Sequence, residues 1–158
     1  GRIMALILSG DTGVPASGMP TGSVIQTVSA SYATPTNTSG TTLVDTGLTA
    51  SITPTSATSK ILILVTMNGL LNGGTANTGI KLAILRGATN INTFAEYTCY
   101  ISSSSALIAS AAGNYLDSPN TTSSTTYKIQ FSRRDGSGTV SVQANSDSST
   151  IILQEIKG

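Results

Sequence analysis

The chain has 158 residues, enough for one domain with a core of ordinary size. Only 9% of them are charged, eight basic and seven acidic, while 4% are aromatic and none is Trp. Nucleic-acid binding requires a dense cationic face and stacking side chains, and a membrane span requires about 18 consecutive apolar residues. Neither feature is present in the sequence, so we expect no nucleic-acid partner and no membrane insertion.

The first 22 residues differ from the rest. An apolar strip at positions 3–8 is followed by a segment rich in Gly, Pro and Ser. An isolated strip of this kind has nothing to bury against within its own segment. We therefore predict that it lies along the domain or associates with copies of itself, and that residues 23–158 form the domain proper.

Nine strands are predicted after this segment, because Val, Ile and Thr recur in short runs separated by Gly, Pro, Asn and Ser. The predicted ranges are 23–31, 42–53, 60–71, 79–85, 89–100, 106–112, 125–133, 139–144 and 150–156. No stretch of a dozen residues keeps a helical apolar period without interruption. The fold predicted from this pattern is all-β, an antiparallel β-sandwich of the jelly-roll type.

Alternation along two strands predicts which residues enter the core. Leu48, Ala50 and Ile52 alternate with Thr and Ser after an expected bulge at Gly47, and Tyr127, Ile129 and Phe131 alternate with polar residues. The turn at 135–138, Asp-Gly-Ser-Gly, indicates a hairpin between the last two strands before residue 144.

The run from Ile61 to Val65 is apolar at every position. A buried helix is the competing interpretation, but the Ser/Thr-rich flanks and the Asn-Gly at 68–69 favour a strand. A strand that is apolar on both faces is expected to lie centrally, packed against a second sheet or against another subunit. Leu62 and Leu64 are therefore candidates for a contact between subunits.

The inventory of reactive side chains argues against an enzyme. The absence of His removes the usual Ser-His-Asp and Cys-His arrangements, and the seven acids are scattered singly. Two carboxylates that meet in space to hydrolyse a glycan remain an open alternative. Cys99 is the sole cysteine and is expected to be a small buried residue. Because the chain has no His, Cys99 lacks the usual partners for a metal site, so we predict no metal site and no cofactor.

Candidate binding residues are the aromatic side chains outside the core pattern and one basic pair. Tyr97, Tyr100 and Tyr115 each combine a flat apolar ring with a hydroxyl, which suits sugar recognition, although they are equally suited to packing at strand ends or between subunits. Arg133 and Arg134 lie beside the turn at 135–138 and are candidates to bind an anionic glycan. The alternative is that the pair only makes the surface more soluble.

Several ordered segments resemble tail-fibre-like proteins of bacteriophages. They are 19–26 (MPTGSVIQ), 44–63 (VDTGLTASITPTSATSKILI), 82–91 (LAILRGATNI), 116–130 (LDSPNTTSSTTYKIQ) and 149–156 (STIILQEI). These are scaffold motifs, so the resemblance carries over no catalytic or ligand-binding residue. The segments that look least like a fixed pattern, 70–79 and 93–114, are where receptor contacts are expected, which adds Asn72 to the candidates.

The resemblance implies a homotrimeric, non-enzymatic fibre tip in the virion, with a short N-terminal shaft. Its expected partners are other fibre or tail proteins and a glycan or protein on the host cell surface. Leu6 and Leu8 in the shaft then join Leu62 and Leu64 as candidates for the trimer interface. The alternatives are a head fibre or capsid decoration domain without receptor binding, and a free lectin-like domain.

Overall fold

The structure is a computed structural model, and it describes residues 14–158. This part of the chain forms ten strands and two short 3-10 helices, at Ala16–Gly18 and Ala144–Ser146. The strands are β1 (Val24–Tyr32), β2 (Thr36–Thr38), β3 (Val44–Ile52), β4 (Lys60–Gly73), β5 (Thr78–Arg86), β6 (Thr89–Ile101), β7 (Ala106–Asp117), β8 (Thr125–Arg133), β9 (Val140–Val142) and β10 (Ser149–Ile156).

Eight long strands form two antiparallel sheets. One sheet, called sheet A, runs β1-β10-β4-β7, with the short β9 and β2 added next to the second half of β4. The other, sheet B, runs β3-β8-β5-β6. Consecutive long strands mostly lie in different sheets, so the chain crosses repeatedly between them. This is the jelly-roll arrangement, and the predicted fold class is confirmed.

The core lies between the two sheets and follows the predicted alternation. In sheet B, β3 buries Leu48 and Ile52, and β8 buries Tyr127, Ile129 and Phe131 with no exposed surface. Sheet A supplies a second set of fully or nearly fully buried apolar side chains, namely Ile61, Ile63, Val65, Met67, Leu70, Val140, Val142, Ile151 and Leu153. Burial of these side chains is the main force that holds the sheets together.

The expected bulge at Gly47 is present. The register of β3 against β8 shifts between Asp45 and Thr49, and Gly47 has a φ of +88°. The ring of Tyr32 covers Gly47 so closely that a Cβ at this position would overlap it. Glycine is needed here both for the left-handed backbone and for the approach of the ring.

The predicted hairpin at 135–138 is wrong. β8 lies in sheet B, whereas β9 pairs with β2 and β4 in sheet A, so this turn crosses between the sheets. Gly136 and Gly138 both have positive φ, and they pack against Thr78 at the start of β5 and against Thr75 of the β4–β5 connection, respectively. Glycine-rich turns suit a crossing as well as a hairpin, and local sequence does not distinguish the two.

The first described residues contact the sandwich where β10 ends. The backbone N–H of Gly22 donates to the Lys157 carbonyl at 2.8 Å, and Lys157 Nζ donates to the carbonyls of Ser17 and Met19. The predicted apolar strip, at residues 3–8, lies outside the described residues. No helix within 14–158 is long and apolar enough to cross a membrane.

Candidate functional site

Two of the predicted receptor tyrosines lie side by side near the end of β6. The ring centroids of Tyr97 and Tyr100 are 4.7 Å apart with an interplanar angle of 30°. Residues three apart on a regular strand point to opposite faces. Here Cys99 has a φ of +50°, which breaks the alternation and allows both rings to reach the same surface. Tyr97 remains 45% exposed and Tyr100 39%.

Cys99 anchors this irregular turn of backbone from the inside. It is buried, as predicted, and its Sγ lies 3.2 Å from the Leu70 carbonyl oxygen and 3.3 Å from that of Leu107. Burial raises the pKa of the thiol, which keeps it protonated as a donor at neutral pH. The buried side chain of Cys99 therefore fixes the segment from which the rings of Tyr97 and Tyr100 project.

Arg134 and Gly79 hold the ring of Tyr97. The guanidinium carbon of Arg134 is 5.9 Å from the ring centroid, within cation–π range. The Arg134 backbone N–H donates to the Gly79 carbonyl at 2.8 Å, and a Cβ on Gly79 would lie 3.0 Å from the Tyr97 ring. A small residue at position 79 thus allows the ring to lie against the strand.

The charges around the rings are balanced. The Glu96 carboxylate lies 3.1 Å from Arg134 Nε and 3.2 Å from Lys81 Nζ, and Arg134 Nη1 lies 3.0 Å from Asp135. Tyr100 donates its hydroxyl to Asn77 Oδ1 at 3.0 Å. We call the set Tyr97, Tyr100, Arg134, Glu96, Asp135 and Asn77 the tyrosine cluster.

The other three predicted receptor residues lie elsewhere, and Asn72 does not reach the surface. Its side chain is fully buried, donates to the Thr78 carbonyl at 2.8 Å and accepts from the N–H groups of Gly74 and Thr75. This side chain closes the β4–β5 turn. The prediction of Asn72 as a receptor contact is therefore wrong.

Tyr115 and Arg133 also serve the scaffold. Tyr115 is half-buried and packs against the core. Arg133 donates from Nε to the Ser39 carbonyl at 2.9 Å, whereas Arg134 belongs to the tyrosine cluster. Consecutive residues of an extended chain point in opposite directions, so the two arginines do not form one basic patch.

The outward side of sheet A carries an apolar stripe. Leu62 stands opposite Leu116 on β7, and Leu64 stands opposite Ile152 on β10, in the observed register. Leu64 is 36% exposed and Leu116 47%. We call the outward side chains of β10, β4 and β7 the outer face, and its middle forms a shallow hollow of about 310 Å³ lined by Leu64, Thr66, Ala112, Asn114, Thr150 and Ile152.

The outer face is almost free of charge. Apart from Ile108 and Ile156, the outward residues that accompany the stripe are hydroxyl, amide or small side chains. The charged member of the outer face is Lys60 at one end. The predicted interface residues Leu62 and Leu64 thus lie together on this face. Leu6 and Leu8 lie outside the described residues.

The buried carboxylate of Asp117 is satisfied by the scaffold. Asp117 accepts from Arg86 at 2.9 Å and from the Tyr127 hydroxyl at 2.7 Å. Burial, together with the hydrogen bond to Asp117, raises the pKa of Tyr127 far above its usual range. Within residues 14–158, no three His, Cys, Asp or Glu side chains are grouped so that they could hold a metal ion.

Comparison with known proteins assigns no family to the chain. No protein-family model matches the chain, and no curated protein matches it. Among solved structures, the chain is similar to the VP2 subviral particle of infectious bursal disease virus, with 13% identity and a TM-score of 0.49. It is also similar to a chain in the structure of infectious bursal disease virus strain Gx, with 12% identity and a TM-score of 0.41. The comparisons cover 99% of this chain but 37% and 42% of the viral chains.

Proposed function

We propose that this chain is a non-enzymatic domain of a bacteriophage fibre, which assembles as a homotrimer and attaches the virion to the host cell surface. The observation that carries the assembly is the outer face, an apolar and nearly uncharged sheet surface on a jelly roll. The resemblance of the ordered segments to tail-fibre-like proteins supports the same function. A large exposed apolar patch on a soluble domain is typical of an interaction surface.

The partner that best fits the outer face is a second and third copy of the same chain. Identical surfaces can meet only where like charges do not oppose each other, and the outer face offers Lys60 at its end as its charged group. Three copies that turn this face toward a common axis would bury Leu62, Leu64 and Leu116 together. The tyrosine cluster belongs to the other sheet and would stay accessible.

Measuring the mass of the purified chain by light scattering tests this proposal. We expect a mass of three 16.0 kDa chains at micromolar concentration. Leu64→Glu should give a monomer, because three buried carboxylates without partners would oppose one another at the axis. A folded wild-type monomer would contradict the proposal.

A matched control separates assembly from folding. Ser51→Glu introduces the same charge at an exposed position on β3 of the other sheet, and this variant should remain trimeric. Circular dichroism should show the same strand content in both variants, since Leu64 is already partly exposed in the single chain. A Leu64→Glu variant that stays trimeric would show that the outer face is not the interface.

A virion structural role without receptor binding is the second candidate, and the outer face favours it equally. A head fibre or decoration domain would use this face to join the virion and would leave the tyrosine cluster without a role. Incubation of the labelled trimer with whole host bacteria and with virions that lack it distinguishes the two. Binding to bacteria supports attachment, and binding to virions alone supports decoration.

A further inference from the structure

We propose that the tyrosine cluster is a binding site for neutral hexopyranose sugars. This inference rests on the proposed attachment function and names the ligand class for it. Its basis is geometric. Two rings that regular strand geometry would place on opposite faces are brought together by the left-handed backbone of Cys99, and both keep a large exposed fraction.

The chemistry of the cluster matches a pyranose ring. Such a sugar has a flat face of C–H groups, which packs on an aromatic ring, and a rim of hydroxyls that need hydrogen-bond partners. Tyr100 supplies the ring for this contact, while Tyr97, which is stacked on it and lies beneath the Arg134 guanidinium, holds the Tyr100 ring in place. The carboxylates of Glu96 and Asp135, each about half exposed, supply acceptors beside it. Tyrosine gives this contact area at low entropic cost because it has few rotatable bonds.

The charge balance selects neutral sugars over anionic ones. The guanidinium of Arg134 lies 3.1 Å from Glu96 and 3.0 Å from Asp135, so its positive charge is already compensated. A sugar carboxylate placed on the rings would meet two protein carboxylates at hydrogen-bonding distance from the same arginine. The sequence-based expectation of an anionic glycan at Arg133 and Arg134 is therefore replaced here by a neutral one.

The site is shallow, so each copy should bind weakly. Because only part of each ring is exposed, we expect a dissociation constant on the order of 1–10 mM per site. Three sites on one trimer would act together on a cell surface that displays many copies of the sugar. Weak single-site binding is thus compatible with firm attachment.

Tyrosine ring signals provide a direct test. The chain has five tyrosines, so NMR spectra of trimer labelled with ¹³C at tyrosine contain few ring signals, and substitution assigns them. The probes are the methyl glycosides of glucose, galactose, mannose and N-acetylglucosamine, with methyl glucuronide as the charged counterpart of methyl glucoside. We expect saturable shifts at Tyr97 and Tyr100 with at least one neutral probe, and none at Tyr32, Tyr115 or Tyr127.

Variants make the result specific to the cluster. Tyr97→Ala and Tyr100→Ala should each weaken the bound sugar at least about tenfold, a loss of roughly 1.4 kcal/mol. Tyr115→Phe is the matched control and should bind as the wild type does. Absence of shifts with every neutral probe overturns the inference, as does equal or tighter binding of methyl glucuronide.

The oligomer mass separates this inference from the proposed function. If the chain is a trimer that binds bacteria but no neutral sugar shifts its tyrosine signals, the fibre proposal stands and the sugar site is wrong. If neutral sugars shift Tyr97 and Tyr100 in a chain that stays monomeric, the sugar site stands and the fibre assembly is wrong.

Discussion

Glu155 is a carboxylate with no exposed surface, at the inner side of β10. Its two oxygens accept from Gln26 Nε2 at 2.7 Å, from the Thr55 backbone N–H at 2.8 Å and from the Thr55 hydroxyl at 2.7 Å. Burial acts to raise the pKa of this group, but hydrogen bonds from Ser59, Gln26 and Thr55 outweigh it and lower the pKa below its ordinary value near 4.5.

The lowered pKa makes stability depend on pH. The ionised group stabilises the fold above the pKa of the unfolded chain, near 4.5, and this contribution is lost as pH falls through the lower folded pKa. We predict that Glu155→Gln lowers the free energy of unfolding by about 1–3 kcal/mol at pH 7, and that the deficit shrinks below pH 4.5. Urea unfolding at several pH values measures it.

An exposed acid provides the comparison for Glu155. Glu96→Gln removes a carboxylate that is about half exposed and pairs with Lys81 and Arg134, so it should cost less than about 1 kcal/mol. If the deficit of Glu155→Gln stayed constant between pH 7 and pH 3, the hydrogen bonds to Glu155 would not favour its ionised form.

The bulge in β4 joins the two halves of this long strand. Its pairing with β7 shifts between Met67 and Leu70, and Gly69 at the bulge has a φ of +60°. A Cβ on Gly69 would lie 2.5 Å from the Ala144 backbone nitrogen, where the segment after β9 crosses the strand. Backbone atoms cannot move aside as a flexible side chain can, so glycine is required for contact as well as conformation.

We predict that Gly69→Ala lowers the free energy of unfolding by about 3–4 kcal/mol, of which about 1–2 kcal/mol is the cost of the left-handed backbone. Gly87→Ala is the matched control, since Gly87 has a φ of +59° and open space around its Cβ position. Gly87→Ala should lower the free energy of unfolding only by the cost of the left-handed backbone, about 1–2 kcal/mol. Equal losses in urea unfolding of the two variants would show that the contact with Ala144 is unimportant.

Element prediction succeeded where a local pattern determines the outcome. Alternation at Leu48–Ile52 and at Tyr127–Phe131 correctly predicts the buried face, because a strand with one dry side has to repeat every two residues. β7 runs to Asp117, past the predicted end at 112, because its partner β4 continues the pairing over the small residues Ala112 and Gly113.

Prediction failed where distant contacts decide. The left-handed conformation of Cys99 has no local signal, since cysteine does not favour positive φ, and it depends on the carbonyls of Leu70 and Leu107. The stacking of Tyr97 on Tyr100 follows from that conformation, so the sequence carries no local signal for it either. The sequence pattern predicts that Asn72 lies in a loop, but its side-chain amide completes a turn inside the sandwich.

The whole molecule separates its two candidate surfaces. The outer face belongs to sheet A and the tyrosine cluster to sheet B, with the apolar core between them. β1 borders the outer face with the outward residues Thr27, Ser29 and Ser31, whose hydroxyls remain soluble when exposed and can be buried at modest cost when hydrogen-bonded. Such a margin around the apolar stripe suits the proposed assembly.

The N-terminal strip is predicted to strengthen the trimer more than it stabilises the sandwich. Deletion of residues 1–13 leaves the contacts of Lys157 with Ser17 and Met19 in place. We expect the deletion to raise the dissociation constant of the trimer at least about tenfold, because apolar burial between copies is lost. It should change the unfolding free energy of the sandwich by less than about 1 kcal/mol, since no described core residue is removed.

Sedimentation over a range of concentrations and urea unfolding measure the two effects independently. Replacing Leu6 and Leu8 by Ser in the full chain keeps its length and should reproduce the weaker trimer, which identifies apolar burial as the cause. If the deletion unfolded the sandwich along with the trimer, the strip would belong to the core of each subunit. The boundary at residue 22 would then be misplaced, because a segment essential to the core cannot be a separate shaft.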